Sequence, residues 1–193
     1  QLKSLADAFR LLTIVPVPFG SGHDSPPSKY APLVFPLAGL MIGVGAAALF
    51  AIFDDLLPRS LGAALTITAV VIITGALHTD GLADFFDGMF GGHDPDSRLR
   101  IMKQPDVSAS GVAAVVLVLL IDWIALSSIS VTMAWIVLPL VGVVSRTAPL
   151  VVMAVTSYVS QNGLGQSYAK LSNIALLVAI VLAVVVGAVI GGG

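Results

Sequence analysis

The chain of 193 residues has no cysteine, and all eleven of its acidic residues are aspartate. Without cysteine, neither a disulfide framework nor a thiolate metal site can form. Charge is scarce as well. Asp, Lys and Arg make up 10% of the sequence, where a soluble domain carries roughly 25%. A net charge of -2 leaves no basic field to hold a phosphate backbone, which excludes nucleic acid as a partner. Apolar residues dominate instead, at 57% of the chain, with a mean hydropathy of +1.01. These numbers describe an integral membrane protein.

A bilayer core takes about 20 apolar residues per helix. Five segments meet that need: Pro32–Phe53, Leu61–Leu77, about Gly111–Ser130 with Asp122 inside, about Thr132–Tyr158 with Arg146 and Pro149 inside, and about Ile174–Ile190. Leu2, Leu5, Phe9 and Leu12 recur at helical spacing among Lys3, Asp7 and Arg10, the pattern of a short helix on a membrane surface. The run PVPFGSGHDSPP is a Pro/Gly loop in which His23 and Asp24 are loop residues. The expected fold is all-α: a polytopic helical bundle of about five spans, an N-terminal interfacial helix and a cytoplasmic acidic segment. Residues 1–193 are expected to form one integral membrane domain.

Lysine and arginine set the orientation. Lys3, Arg10, Lys29, Arg98, Arg100, Lys103 and Lys170 flank alternate ends of the spans, and Arg59 alone lies on the opposite side. The positive-inside rule therefore puts the N-terminus and the 78–110 and 159–172 loops in the cytoplasm.

The chemistry concentrates between His78 and Lys103, in HTDGLADFFDGMFGGHDPDSRLRIMK. Asp80, Asp84 and Asp87 stand at i, i+4 and i+7, within about 60° of one another on a helix. Three carboxylates on one face need cations or strong hydrogen bonds. Oxygen ligands without thiolate suit Mg²⁺, or Mn²⁺. Gly81 and Gly88 remove side chains beside the acids, leaving room for a substrate phosphate. A solvated acidic face is the plainer alternative, but Leu82, Ala83, Phe85, Phe86, Met89 and Phe90 leave only the Asp stripe polar.

His78 is either a helix-boundary residue or a phosphate or acid–base group. His93, Asp94 and Asp96 fit a turn and helix cap. Arg98, Arg100 and Lys103 set topology or bind phosphates. Arg146 is costly inside a span, by about 2.5–3.5 kcal/mol on insertion scales, and needs a partner. Asp122 or a substrate pyrophosphate would serve. Lys170 fits a topology charge.

The run HTDGLADFFDGMFGG followed by RLRIMK resembles the signature of the cobalamin synthase family, the adenosylcobinamide-GDP ribazoletransferases. LLTIVPVP, FPLAGLMIG at Phe35–Gly43, Ser145-Arg146 and the Gly163-Leu164-Gly165 turn are similar to further elements of that family. Family members continue past the fifth span with a segment containing Glu, so the C-terminal part of the family's chain is expected to be missing. A basic residue is common there near the place of Asp122, which is a departure. The resemblance implies that adenosylcobinamide-GDP and α-ribazole, or its 5'-phosphate, are joined with loss of GMP. Asp80, Asp84 and Asp87 would be metal ligands, and Asp87, Asp84 and His78 catalytic. Arg98, Lys103, Arg146, Gly81 and Gly88 would bind substrate. The setting would be the lipid of the cell membrane, with the active site facing the cytoplasm. Gly39, Gly43 and Gly45 suit close helix packing within the chain or in a homo-oligomer.

Two other functions fit parts of the pattern. DGxxDxxD is similar to the first half of the CDP-alcohol phosphotransferase motif, but Asp84-Phe85 stands where that motif expects Ala-Arg. A cation transporter would spread its acids over several spans; here one segment holds the cluster.

Overall fold

The computed structural model describes residues 2–17 and 31–156, and six isolated positions between 177 and 188. His23, Asp24, Lys29, the 163–165 turn, Lys170 and most of the fifth expected span lie outside the described residues. All regular structure among the described residues is helical. The helices are α1 (Leu2–Leu12), α2 (Phe35–Leu56), α3 (Arg59–Ile73), α4 (Leu77–Gly91), α5 (Pro95–Ile101), α6 (Ala109–Ser128) and α7 (Val131–Val155), with a 3₁₀ turn at Ala31–Val34. Three segments are long and apolar enough to cross a membrane: Ala31–Leu56, Ala109–Ser128 and Val131–Val155. The pair α3 and α4 adds a fourth if counted as one broken span. The chain divides into two compact units, residues 1–52 with 130–193 and residues 53–129.

In the first unit, the expected N-terminal amphipathic helix forms as α1. Ala8 and Leu12 of α1 join Ala31, Phe35, Ala38 and Leu150 in a buried cluster, edged by Phe9, Leu11, Val34 and Met153. Ser4 and Asp7 are buried too, so α1 packs against protein on more than its apolar stripe. Further along, α2 and α7 meet backbone to backbone. A Cβ on Gly39 would collide with the carbonyl oxygen of Gly142, and a Cβ on Gly142 with that of Gly39. A Cβ on Gly43 would lie 2.6 Å from the Cα of Pro139. Gly45, the third glycine of the sequence pattern, faces open space. The close packing read from Gly39 and Gly43 thus occurs within the chain.

The second unit begins at a pinned turn. Arg59 donates from Nε to Asp54 Oδ1 at 2.8 Å and from a terminal nitrogen to Asp54 Oδ2 at 3.0 Å. This paired contact ties the end of α2 to the start of α3. Trp123 Nε1 donates to the Ser60 carbonyl at 2.7 Å. The last turns of α6 therefore lie beside the first turn of α3, and the two helices run antiparallel.

The expected span Leu61–Leu77 is cut short. α3 ends at Ile73, and Leu77 already belongs to α4, which turns away by 86°. A Schellman cap makes the break. The Ala76 N–H donates to the Val71 carbonyl, and the Gly75 N–H to the Ile72 carbonyl, each at 2.9 Å. Gly75 takes the left-handed conformation at φ 60°, and Ala76 follows at φ 55°. Fifteen residues give α3 a length of about 22 Å, short of a hydrocarbon core of about 30 Å.

The glycine contact in the first unit predicts a clear asymmetry. Gly142→Val should cost about 1–3 kcal/mol of overpacking and lower the melting temperature in detergent. Gly45→Ala should leave it unchanged or raise it. Equal melting of the two variants would contradict the close α2–α7 approach.

Candidate functional site

The three carboxylates of the stripe lie on α4, but their surroundings differ. Asp80 is exposed, Asp84 half-buried, and Asp87 only 4% exposed. A buried carboxylate needs donors, and the start of α6 supplies them. Asp87 Oδ2 accepts from the Ser108 N–H at 2.8 Å. Asp87 Oδ1 accepts from the Gly111 N–H at 2.6 Å, from Ser110 Oγ at 3.0 Å and from Ser108 Oγ. The first N–H groups of a helix have no partner inside it, and the helix dipole favours an anion there. Asp87 acts as an anionic cap supplied by a neighbouring helix. Ser108 is also the N-cap of its own helix, accepting from the Ser110 N–H at 3.3 Å.

Gly111 makes this approach possible. A Cβ there would lie 2.7 Å from Asp87 Oδ1 and 2.9 Å from the Ala83 carbonyl oxygen. The next residues down α4, Gly88 and Gly91, receive α5. A Cβ on Gly88 would meet Met102 Cγ at 2.6 Å and the Arg98 carbonyl oxygen at 3.1 Å. The room beside Gly88 is therefore filled by α5 and its C-cap, where the sequence reading reserved it for phosphate. Gly81 has nothing within 4 Å of its Cβ position and leaves open space beside the acids.

The α4–α5 turn follows the expected cap. The Ser97 N–H donates to Asp94 Oδ1 at 2.8 Å, the Asp94 N–H donates to Ser97 Oγ at 3.1 Å, and Pro95 opens the helix. Arg98 turns back, donating from Nε to the Gly92 carbonyl at 3.1 Å. Arg98, Arg100 and Lys103 are exposed, as is His78 in the first turn of α4.

α4 lies beyond the 86° break, outside the three segments that are each long and apolar enough to cross alone, and two of its acids are shifted in opposite directions. Hydrogen bonds from the Ser108 side chain and N–H, helped by Gly111 and Ser110, hold Asp87 below its ordinary value against the opposing effect of burial. Burial, then the charges of Asp80 and Asp87, pushes Asp84 above its ordinary value. No group of three His or Asp side chains comes together as a metal cage among the described residues.

Arg146 belongs to the other unit. It stands on α7 beside the buried Gly142, Val143, Thr147 and Leu150. One terminal nitrogen donates to Ser145 Oγ at 2.7 Å, and its buried Nε has no hydrogen-bond partner among the described residues. Asp122 is exposed on α6.

The sequence reading missed Ser108, Ser110 and Gly111. Their signal was a helix start, Ser-Ala-Ser-Gly after Pro105. Nothing in the spacing from Asp87 to Ser108 announced that they would meet.

Residues 4–192 match the family model described as Cobalamin-5-phosphate synthase. The chain belongs to this family. Among curated relatives, the adenosylcobinamide-GDP ribazoletransferase of Prosthecochloris aestuarii is 43% identical over 67% of this chain and 51% of its own length. That of Chlorobaculum parvum is 38% identical over 84% of this chain and 63% of its own length. That of Ralstonia pickettii is 33% identical over 87% and 67%. The chain thus spans about half to two thirds of the length of these relatives. No solved structure matches. The synthase family resemblance read from the His78–Lys103 signature is borne out, and the matched region contains the whole α4–α5 hairpin.

The Asp87 contacts predict a pH-dependent stability. The folded-state value of Asp87 lies below its unfolded value of about 3.9. Its stabilisation is complete above that value and is lost as pH falls through the lower, folded one. Asp87→Asn should melt below the parent protein at pH 7, with the gap closing as pH drops below about 4. A gap constant down to acid pH would show that the carboxylate charge is not what holds α6. Gly111→Ala should destabilise at every pH by displacing the same contact.

Proposed function

We propose that this protein joins adenosylcobinamide-GDP to α-ribazole, or to its 5'-phosphate, releasing GMP. The product is adenosylcobalamin or its 5'-phosphate, which closes the nucleotide loop of cobalamin. The observation that carries this reading is the family match over residues 4–192. It is supported by two carboxylates, Asp80 and Asp84, one turn apart on a helix whose third carboxylate is engaged elsewhere.

The donor set fits a hard cation. Magnesium is commonly held by one or two carboxylates, with water and substrate phosphate filling the other positions. Asp80 and Asp84 are such a pair; burial first, and then the charges of Asp80 and Asp87, push Asp84 upward, and a bound cation would offset both. These two residues would hold Mg²⁺, or Mn²⁺, which when bound offsets the pyrophosphate charge and that of departing GMP.

The remaining roles fall to the chain itself. The acceptor hydroxyl must lose a proton. His78, exposed in the first turn of α4, is suited to take it, and Asp84 would serve only while it is free of the cation. Asp87, held below its ordinary value, is a poor base and instead fixes α4 against α6. Arg98, in the last turn of α5, and Lys103, just past its C-cap, are both exposed and would bind phosphate oxygens. The open space over Gly81 admits a phosphate to the backbone. In this reading the spans sit in the cytoplasmic membrane with the hairpin on the cytoplasmic side, as the seven-to-one distribution of basic residues favours.

Two measurements test the proposal. In liposomes, GMP release from adenosylcobinamide-GDP and α-ribazole should require Mg²⁺. Asp80→Asn and Asp84→Asn should each lower it by about 10² or more, the scale seen when one electrostatic group is removed from such a site. Release that is indifferent to Mg²⁺ or to both substitutions would defeat this assignment. Separately, Mg²⁺ should raise the melting temperature of the parent protein by mass action, and the rise should vanish in the Asp80→Asn/Asp84→Asn double variant.

A further inference from the structure

The face of α4 opposite the carboxylates is apolar and uncovered. Phe85, Met89 and Phe90 are 52%, 50% and 66% exposed. On a helical wheel they lie about 140°, 180° and 280° from Asp80, whereas Asp84 and Asp87 lie about 40° and 20° from it on either side. Phe86 links them into one surface, edge-on to Phe85 at 5.6 Å and 5.9 Å from Phe90 between ring centres. Single exposed apolar residues are ordinary in any protein. Phe85 and Met89 point away from every acid and Phe90 stands at the edge of the same arc, about 60° from Asp87; three within two turns form a patch that needs a partner.

We propose that this face is seated in the membrane interface, with Phe85, Met89 and Phe90 inserted among the lipid acyl chains. Three features choose lipid. First, α3 runs antiparallel to α6, itself long and apolar enough to cross, and α4 leaves α3 at 86°, so α4 runs nearly in the bilayer plane. Second, both neighbours of α4 also expose large apolar side chains. Ile72 is 59% exposed just before the break, and Val112, Val116 and Leu117 of α6 are 51%, 48% and 60% exposed just past the Asp87 contact. Third, Arg98, Arg100 and Lys103 are exposed on the α5 segment that folds onto α4, where they complement anionic headgroups. α5 packs on α4 at Gly88 and Gly91, on the polar side, and an apolar aromatic face with basic residues on the polar side is the composition of a helix lying in an interface. Asp80 and Asp84 are then carried at headgroup level on the opposite, water-facing side. If the transferase reading holds, a large water-soluble substrate can reach them without entering the bilayer.

The absence of cysteine makes the test direct. Single cysteines at Phe85, Met89 and Phe90, with Asp80→Cys as the water-facing control, are spin-labelled in liposomes of phosphatidylethanolamine and phosphatidylglycerol. Collision with oxygen and with a water-soluble nickel chelate then reports depth. The proposal expects a higher oxygen-to-nickel ratio at all three apolar positions than at Asp80, and a depth of about 5–10 Å below the headgroups. Nickel accessibility equal to that at Asp80 overturns it. Shielding from both reagents also overturns it, because a second copy or another protein segment would then cover the face. Phe90→Trp in a Trp123→Phe/Trp135→Phe background gives a second readout. It should be quenched by lipids brominated near the headgroup end of the chain and not by aqueous acrylamide; the reverse pattern rejects the proposal. Both experiments read depth and not turnover, so their outcome is separate from that of the transferase assay.

Discussion

The contact between Asp87 and the first turn of α6 is the constraint on which the second unit depends. A buried carboxylate and the free N–H groups of a helix start are each unfavourable alone in apolar surroundings. Here each satisfies the other: Asp87 accepts from two N–H groups and two hydroxyls. The pairing fixes both where α4 lies and how it is rotated about its axis. Asp80 stays exposed and Asp84 half-buried on the same stripe, beyond the donors that take up Asp87.

Four glycines let that arrangement close, by different physics. Gly75 supplies the left-handed residue that ends α3 and turns the chain by 86°. Gly111 lets α6 reach Asp87, and Gly88 lets α5 fold back onto α4. Gly81 meets nothing, so its lack of a side chain leaves space at the surface. Equal in composition, these positions divide into one bend, two contacts and one opening.

The acid stripe likewise divides its labour. Identical side chains at helical spacing titrate in opposite directions because one meets donors and another meets burial and like charge. A proton acceptor or cation ligand is drawn from the second kind, and a structural anchor from the first. In the proposed transferase, Asp84 and Asp80 are the working pair and Asp87 is the support that aims them.

Much of this was legible in the sequence. Length and lack of charge marked the segments that became α2, α6 and α7, since crossing a bilayer is a local requirement met by any sufficiently long apolar run. The HDPDS cap, the α4 stripe and the family were also readable, because each is carried by residues close in sequence. Other features were not. The end of α3 at Ile73 escaped notice because hydropathy continues to Leu77, while Gly75 decides the break through backbone conformation. Gly88 was read as an opening and proved a contact, and Asp87 was grouped with its neighbours although its partners stand 21 to 24 residues away. The sequence by itself determined which segments are apolar, where the acids cluster and which family the chain belongs to. Only the tertiary structure decided which acid is buried, which glycine is open and where the helix turns, because those depend on what each atom meets across the fold.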